Sequence, residues 1–235
     1  MGTEIRNFAP PMSTETSQID QVKEQRPHAG VETWLARTIS FVFHPLVMPT
    51  ASVWLMFQLP TYLQYHYSDQ QKNLIYLILL LCTFVMPGLA ALYLLRKGIV
   101  TSFDIEERSE RWIPYFVTFI FYVFAYLFMS YLGVNTTILS ITLAAAVAVF
   151  AGMFINTLFK ISVHLTAIGG VVGVLAALSV AHQIDAVLWL YCSILVAGML
   201  GFSRLKLKRH HPREVYAGFM LGFCCEYLIV VNGIG

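Results

Sequence analysis

Residues 136–158 read TTILSITLAAAVAVFAGMFINTL, an apolar run without one charged side chain. Its length is close to the ~20 residues that carry an α-helix across the hydrocarbon of a bilayer. The apolar residues are continuous rather than alternating, so a helix is expected and a membrane β-strand is not. Outward from this run the pattern repeats. Comparable stretches occupy about 38–59, 73–95, 113–132, 161–181, 185–202 and 214–233, which gives seven expected spans.

The composition agrees. Of 235 residues, 57% are A, V, I, L, M, F, W, Y or C and only 12% are D, E, K or R, about half the ~25% charged fraction of soluble domains. Mean hydropathy is +0.67. A soluble domain of this size leaves too much surface exposed to hide that apolar fraction, and the same composition excludes a disordered chain. The expected fold class is an all-α polytopic transmembrane helix bundle. The net charge of +2 carries no general nucleic-acid footprint. Cys82, Cys192, Cys224 and Cys225 lie in apolar runs, so they read as packing residues rather than a disulfide framework or a zinc site.

Residues 1–33 are polar and read as a mobile tail; no apolar run follows within signal-peptide distance. Residues 34–95 hold two accessory spans, and 96–235 form the expected functional core. Gly169 and Gly173 make a small-xxx-small pair that favours close helix approach. Pro45, Pro49 and Pro87 sit inside apolar runs, where kinks are tolerated.

Most of the charge lies in three polar segments: RKGIVTSFDIEERSER (96–111), KISVH (160–164) and SRLKLKRHHPRE (203–214). Two spans separate each from the next, so all three emerge on one membrane face. Their Arg, Lys, Ser and His content points to a single anion site there. The third segment is the most specific. It runs Ser203-Arg204, five residues, His210, three residues, Glu214, then Val215-Tyr216-Ala217-Gly218. A carboxylate four residues from a histidine along a helix start can meet and orient its imidazole. A guanidinium fork suits phosphate oxygens. Lys206, Lys208, Arg209 and Arg213 read as a basic collar against anionic lipid.

This segment resembles the third signature of the type 2 phosphatidic acid phosphatase (lipid phosphate phosphatase) superfamily, Ser-Arg-x5-His-x3-Asp, with Glu214 in place of the Asp. The resemblance implies that His210 forms a phosphohistidine, that Glu214 orients it, and that Ser203 and Arg204 help to hold the phosphate. The second segment, Ile161-Ser162-Val163-His164, keeps the Ser and His of the family's Pro-Ser-Gly-His signature. By that resemblance His164 protonates the leaving alkoxide, while Ser162 and the N-terminus of the fifth span hold phosphate oxygens. Val163 stands where the family has glycine, and its branched side chain is expected to crowd the backbone. The first signature, Lys-x6-Arg-Pro, is matched only by Asp104-x6-Arg111, with Pro114 displaced. Arg111 is expected to clamp phosphate, and Lys160, one turn before His164, to supply the missing cation. Asp104/Arg108 and Glu107/Arg111 read as ordinary helix pairs, or the acid-rich 104–110 loop, with Glu106 and Glu110, holds Mg²⁺ against a diphosphate. Glu226, a costly acid inside the last apolar run, lies about three turns beyond Glu214 and outside this site. His44, His66 and His182 read as interfacial or packing residues.

The resemblance covers roughly residues 96–225. It implies a membrane-embedded phosphatase of a lipid or isoprenoid phosphate or diphosphate, a phosphoric ester hydrolase that needs no cofactor. Its partners would be that substrate and membrane lipids, with no nucleic acid; the oligomeric state stays open. The same residues would serve a phosphotransferase that modifies a lipid headgroup, and a decayed site would leave a non-catalytic binder of anionic lipid.

With seven spans the three segments and the N-terminal side share one face, which carries every one of the 15 Lys and Arg residues except Lys72. The positive-inside rule puts that face in the cytoplasm. Bacterial members of the resembled family instead usually work on the outer face of the inner membrane. The expectation here is a multi-pass inner-membrane protein supplied from the cytoplasmic leaflet. A single cysteine near Lys206, in a background without the four native cysteines, is expected to resist a membrane-impermeant thiol reagent in intact cells. One in the 60–72 loop is expected to label. The reverse pattern assigns the opposite orientation.

Overall fold

The structure is a computed structural model that describes residues 30–101 and 108–233. The N-terminal tail and Asp104, Glu106 and Glu107 lie outside the described residues. Among the described residues all regular structure is helical. Seven helical stretches are long and apolar enough to cross a membrane: Val31–Gln58, Asp69–Arg96, Trp112–Tyr131, Thr136–Leu158, Val163–Ala181, Val187–Lys206 and Pro212–Val231. The all-α polytopic bundle expected from the sequence is the observed fold, with the first span starting at Val31 rather than near residue 38.

That first span is broken. Helix α1 (Val31–Val42) stops at Phe43, Pro45–Val47 form a 3-10 turn, and α2 (Met48–Gln58) resumes. Proline disfavours a helical backbone at the residue before it, and His44 is accordingly extended, with ψ 133°. Its Nδ1 accepts from the Leu46 N–H at 3.3 Å and caps the turn. After the short α3 (Tyr62–His66), α4 (Asp69–Leu80) starts in a capping box: Ser68 N–H donates to Gln71 Oε1 at 2.9 Å and Ser68 Oγ accepts from Gln71 N–H at 3.4 Å. The second span is irregular too. A π turn, Leu81–Val85, precedes α5 (Met86–Arg96), with Pro87 in its first turn. The wider turn absorbs the misfit of a helix that continues past a residue without an N–H. Thr83 in this turn donates its hydroxyl to the Leu46 carbonyl at 3.1 Å, so the two irregular segments brace one another.

The remaining spans are regular: α6 (Trp112–Tyr131), α7 (Thr136–Leu158), α8 (Val163–His182), α9 (Val187–Lys206) and α10 (Pro212–Val231). At the centre α8 packs along α10 more extensively than any other pair. Both helices begin at the face that carries the polar segments, hence they run parallel. Glycines on both sides of the seam explain the closeness. A Cβ on Gly222 would lie 1.8 Å from the Thr166 carbonyl oxygen, and one on Gly218 would lie 2.6 Å from that of Ser162. From the other helix, a Cβ on Gly169 would lie 2.2 Å from the Phe219 carbonyl oxygen, and one on Gly173 would lie 2.6 Å from that of Phe223. Backbone meets backbone here, the arrangement that compensates in lipid for the missing hydrophobic drive between helices. The Gly169/Gly173 pair expected from the sequence is one half of this seam; Gly218/Gly222 is the other.

One apolar core joins Met56 and Leu79 of the first two spans to Ile168, Leu175 and Leu200 of later ones, so the accessory spans are packed into the same bundle. Large apolar side chains such as Phe124, Leu127, Leu188 and Leu195 point outward, as a lipid-facing surface requires. Gly222→Ala is expected to destabilise the bundle by about 1–3 kcal/mol, because the methyl group has nowhere to go. Gly198 of α9 has no atom within 4 Å of a built Cβ. Gly198→Ala should therefore be neutral or stabilising by up to ~1 kcal/mol. Thermal unfolding in detergent separates the two outcomes.

Candidate functional site

A cavity of about 1240 Å³ runs inward from the motif face, walled by α1, α2, α5, α6, α7, α8, the end of α9 and α10. It exceeds the ~300–1,000 Å³ of ordinary small-ligand pockets, so a free phosphate ion would occupy a small part of it. The outer end is cationic, with Arg37, Arg111, Lys160, Arg204, Lys208 and Arg209 in its wall together with His44, His164 and His210. Farther in, the wall is largely apolar and includes Phe84, Val117, Ala148 and Ala167.

His210 lies in the connection between α9 and α10, and Glu214 is in the first turn of α10. The His210 Nδ1–H donates to Glu214 Oε2 at 2.8 Å. A carboxylate only accepts, so this bond fixes the tautomer and leaves Nε2 as the basic nitrogen. Glu214, one methylene longer than the Asp of the resembled signature, thus reaches the imidazole. Glu214 Oε2 is held on its other side by the His211 backbone N–H at 3.3 Å. Both side chains are nearly closed to solvent, with 6% of His210 and 8% of Glu214 exposed.

The second segment is tied to the third through the backbone: Ser162 N–H donates to the Glu214 carbonyl at 3.1 Å. His164, in the first turn of α8, lines the cavity. Its Nε2–H donates to the Ser40 carbonyl of α1 at 3.2 Å, which leaves Nδ1 as its second nitrogen. Lys160 and Val163 also line the cavity. Arg111 and Arg204 are 5% and 6% exposed, and both line its outer end. Arg111 Nη1 donates to the Ile161 carbonyl at 3.3 Å, so the first segment is joined to the second.

The two serines behave differently. Ser162 is fully buried and its Oγ has no hydrogen-bond partner among the described residues, but it does not line the cavity. Ser203 is also fully buried; its Oγ donates back to the Met199 carbonyl at 2.8 Å, one turn earlier in α9, and it too is absent from the wall. Glu110 accepts from Thr101 N–H at 2.8 Å and from its hydroxyl at 3.0 Å, which pins the first segment's two ends together. Among the described residues no group of three or more His, Cys, Asp or Glu is placed to hold a metal ion. The four cysteines are free.

Sequence reasoning missed Arg37 and His44. His44 lines the cavity with its ring 6.1 Å from that of His164. It also assigned Lys208 and Arg209 to a lipid-facing collar, and they line the cavity wall. Lys206 instead pairs with Glu32 of α1. The only signal for His44 was its place before Pro45, inside a span where prolines break the helix.

No family model, no curated protein and no solved structure matches the chain.

Burial holds the His210 imidazole below its ordinary range, and the Arg111 and Lys160 cations push it the same way, against the opposing pull of Glu214. The imidazole is therefore neutral at neutral pH. Lys160 disfavours the imidazolium, so Lys160→Met is expected to raise the His210 value. Titration of selectively labelled histidines by NMR in micelles measures it; an unchanged or lowered value would separate Lys160 from His210.

Proposed function

We propose that the protein is a membrane-embedded phosphatase of a lipid or isoprenoid phosphate or diphosphate, acting through a phosphohistidine, as the resemblance to type 2 phosphatidic acid phosphatases implies. What supports the reading is one contact, the 2.8 Å bond from His210 Nδ1–H to Glu214, at the cationic end of a cavity large enough for a lipid chain. The bond leaves His210 Nε2 free to attack phosphorus while Glu214 stabilises the imidazolium that forms. Arg111, Lys160 and Arg204 carry the charge that the phosphoryl oxygens bring. The P–O bond to the lipid breaks as the N–P bond forms. His164 takes up a proton from solvent at Nδ1 as the anion binds and gives it to the leaving oxygen, with Ser40 holding the other N–H. The now neutral His164 then takes a proton from the water that attacks the phosphohistidine, releasing inorganic phosphate and restoring His210. An acceptor alcohol in place of that water would make the same site a phosphotransferase.

The motif face is assigned to the cytoplasmic side on the distribution of Lys and Arg alone. His210→Ala is expected to lower phosphate release from a panel of lipid phosphates by ~10³-fold or more, as loss of a covalent attacker does. His211→Ala should be mild, since His211 serves Glu214 through its backbone N–H, which the substitution keeps. Phosphate release by purified protein, with elution profiles matched to wild type, checks both. Activity near wild type in His210→Ala would remove it from the nucleophile's role.

A further inference from the structure

The inner end of the cavity carries a carboxyl group that the chemistry at the mouth does not use. Glu226 lies fourteen residues beyond the start of α10, ~20 Å along the helix at ~1.5 Å per residue. It lines the cavity, is 5% exposed, and its Oε2 has no hydrogen-bond partner among the described residues. Tyr122 of α6, 3% exposed, lines the same inner end from another helix.

The packing makes room for this side chain. A Cβ on Gly170 would lie 3.1 Å from Glu226 Cγ, and one on Gly173 would lie 3.1 Å from Glu226 Cβ. Two positions of α8 thus hold no side chain where the acid sits. A buried polar atom left without a partner is costly, and more so in hydrocarbon. The cations of the cavity wall do not relieve it: they come from helix ends and connections at the motif face, and between them and Glu226 the wall is largely apolar. An acceptor thus faces the far end of a tube whose mouth suits an anion.

We propose that Glu226, with Tyr122 beside it, forms a second subsite that takes a hydroxyl or amine carried on the apolar chain of an anionic amphiphile. The distance is set by helix register. Glu226 sits against Gly170 and Gly173, whereas His164 is in the first turn of the same helix. The donor therefore lies ~10–15 Å inward from the anionic head. The subsite rests on the reading above only for which end of the ligand carries the phosphate, and binding alone tests it.

Phosphonates resist hydrolysis, so they separate binding from turnover. Decylphosphonate, its ω-hydroxy analogue and its ω-amino analogue are titrated calorimetrically into the full-length protein in detergent. Wild type is expected to bind both ω-substituted ligands roughly 10-fold tighter than the plain one, the equivalent of ~1.4 kcal/mol. Glu226→Leu should lose both preferences while keeping its affinity for decylphosphonate. Glu226→Gln, nearly the same shape, should keep the preference for the hydroxyl and lose it for the ammonium. Equal affinities in wild type, no binding of any of the three, or a preference that survives Glu226→Leu would overturn the subsite. Absence of phosphate release from the panel of lipid phosphates, with the preference among the phosphonates intact, would overturn the phosphatase reading and leave the subsite standing.

Discussion

The close approach of α8 and α10 is the constraint on which the site depends. Four glycines let the two backbones touch, and each position excludes even a methyl group. Because both helices start at the same face, their register also fixes how their first turns meet. The Ser162 N–H bond to the Glu214 carbonyl is the outermost link of that seam. His164 and Glu214 are thus carried by rigid helices, and Glu214 in turn holds His210 in the connection beside it.

The bundle was legible because lipid leaves few choices. A chain that must satisfy its backbone internally can only span as helices, so seven apolar runs translate into seven spans. The irregularities were less legible. Pro45 and Pro49 signalled a break in the first span, but nothing in LCTFV announced a π turn before Pro87, since that turn answers a geometric misfit rather than a local preference. In the candidate site, Arg204, His210 and Glu214 were readable from the resembled spacing, and His164 from its place two spans before the third segment. Ser203 shows the limit of spacing: neighbours in a helix point in different directions, so Arg204 reaches the cavity while Ser203 turns back onto its own helix. Arg37, Ser40 and His44 were invisible for another reason. They belong to no motif, and Ser40 meets His164 across 124 positions of chain.

The first span therefore does more than add hydrophobic bulk. Its break at Phe43–Val47 exposes a histidine to the cavity, and the Ser40 carbonyl gives His164 a partner equivalent to the one Glu214 gives His210. Each histidine thus has one nitrogen committed to the protein and the other available, an asymmetry that imidazole needs before it can play a directed role. The ion pair of Lys206 with Glu32 adds an attachment between α1 and the end of α9, close to where the third segment begins.

The glycine seam also bears on how the chain is made. Until α10 leaves the translocation machinery, the Gly169 and Gly173 face of α8 borders lipid as an open backbone groove. Only a helix with its own small residues at matching four-residue intervals can lie in that groove, which discriminates against mispairing with α6, whose face is built from Phe and Tyr. The ordering of the cationic mouth is thereby postponed to the end of biosynthesis, because His210 and Glu214 arrive with the helix that closes the groove. A nascent chain shortened before α10 would hold several cations near the membrane surface without the Glu214 carboxylate that orients His210.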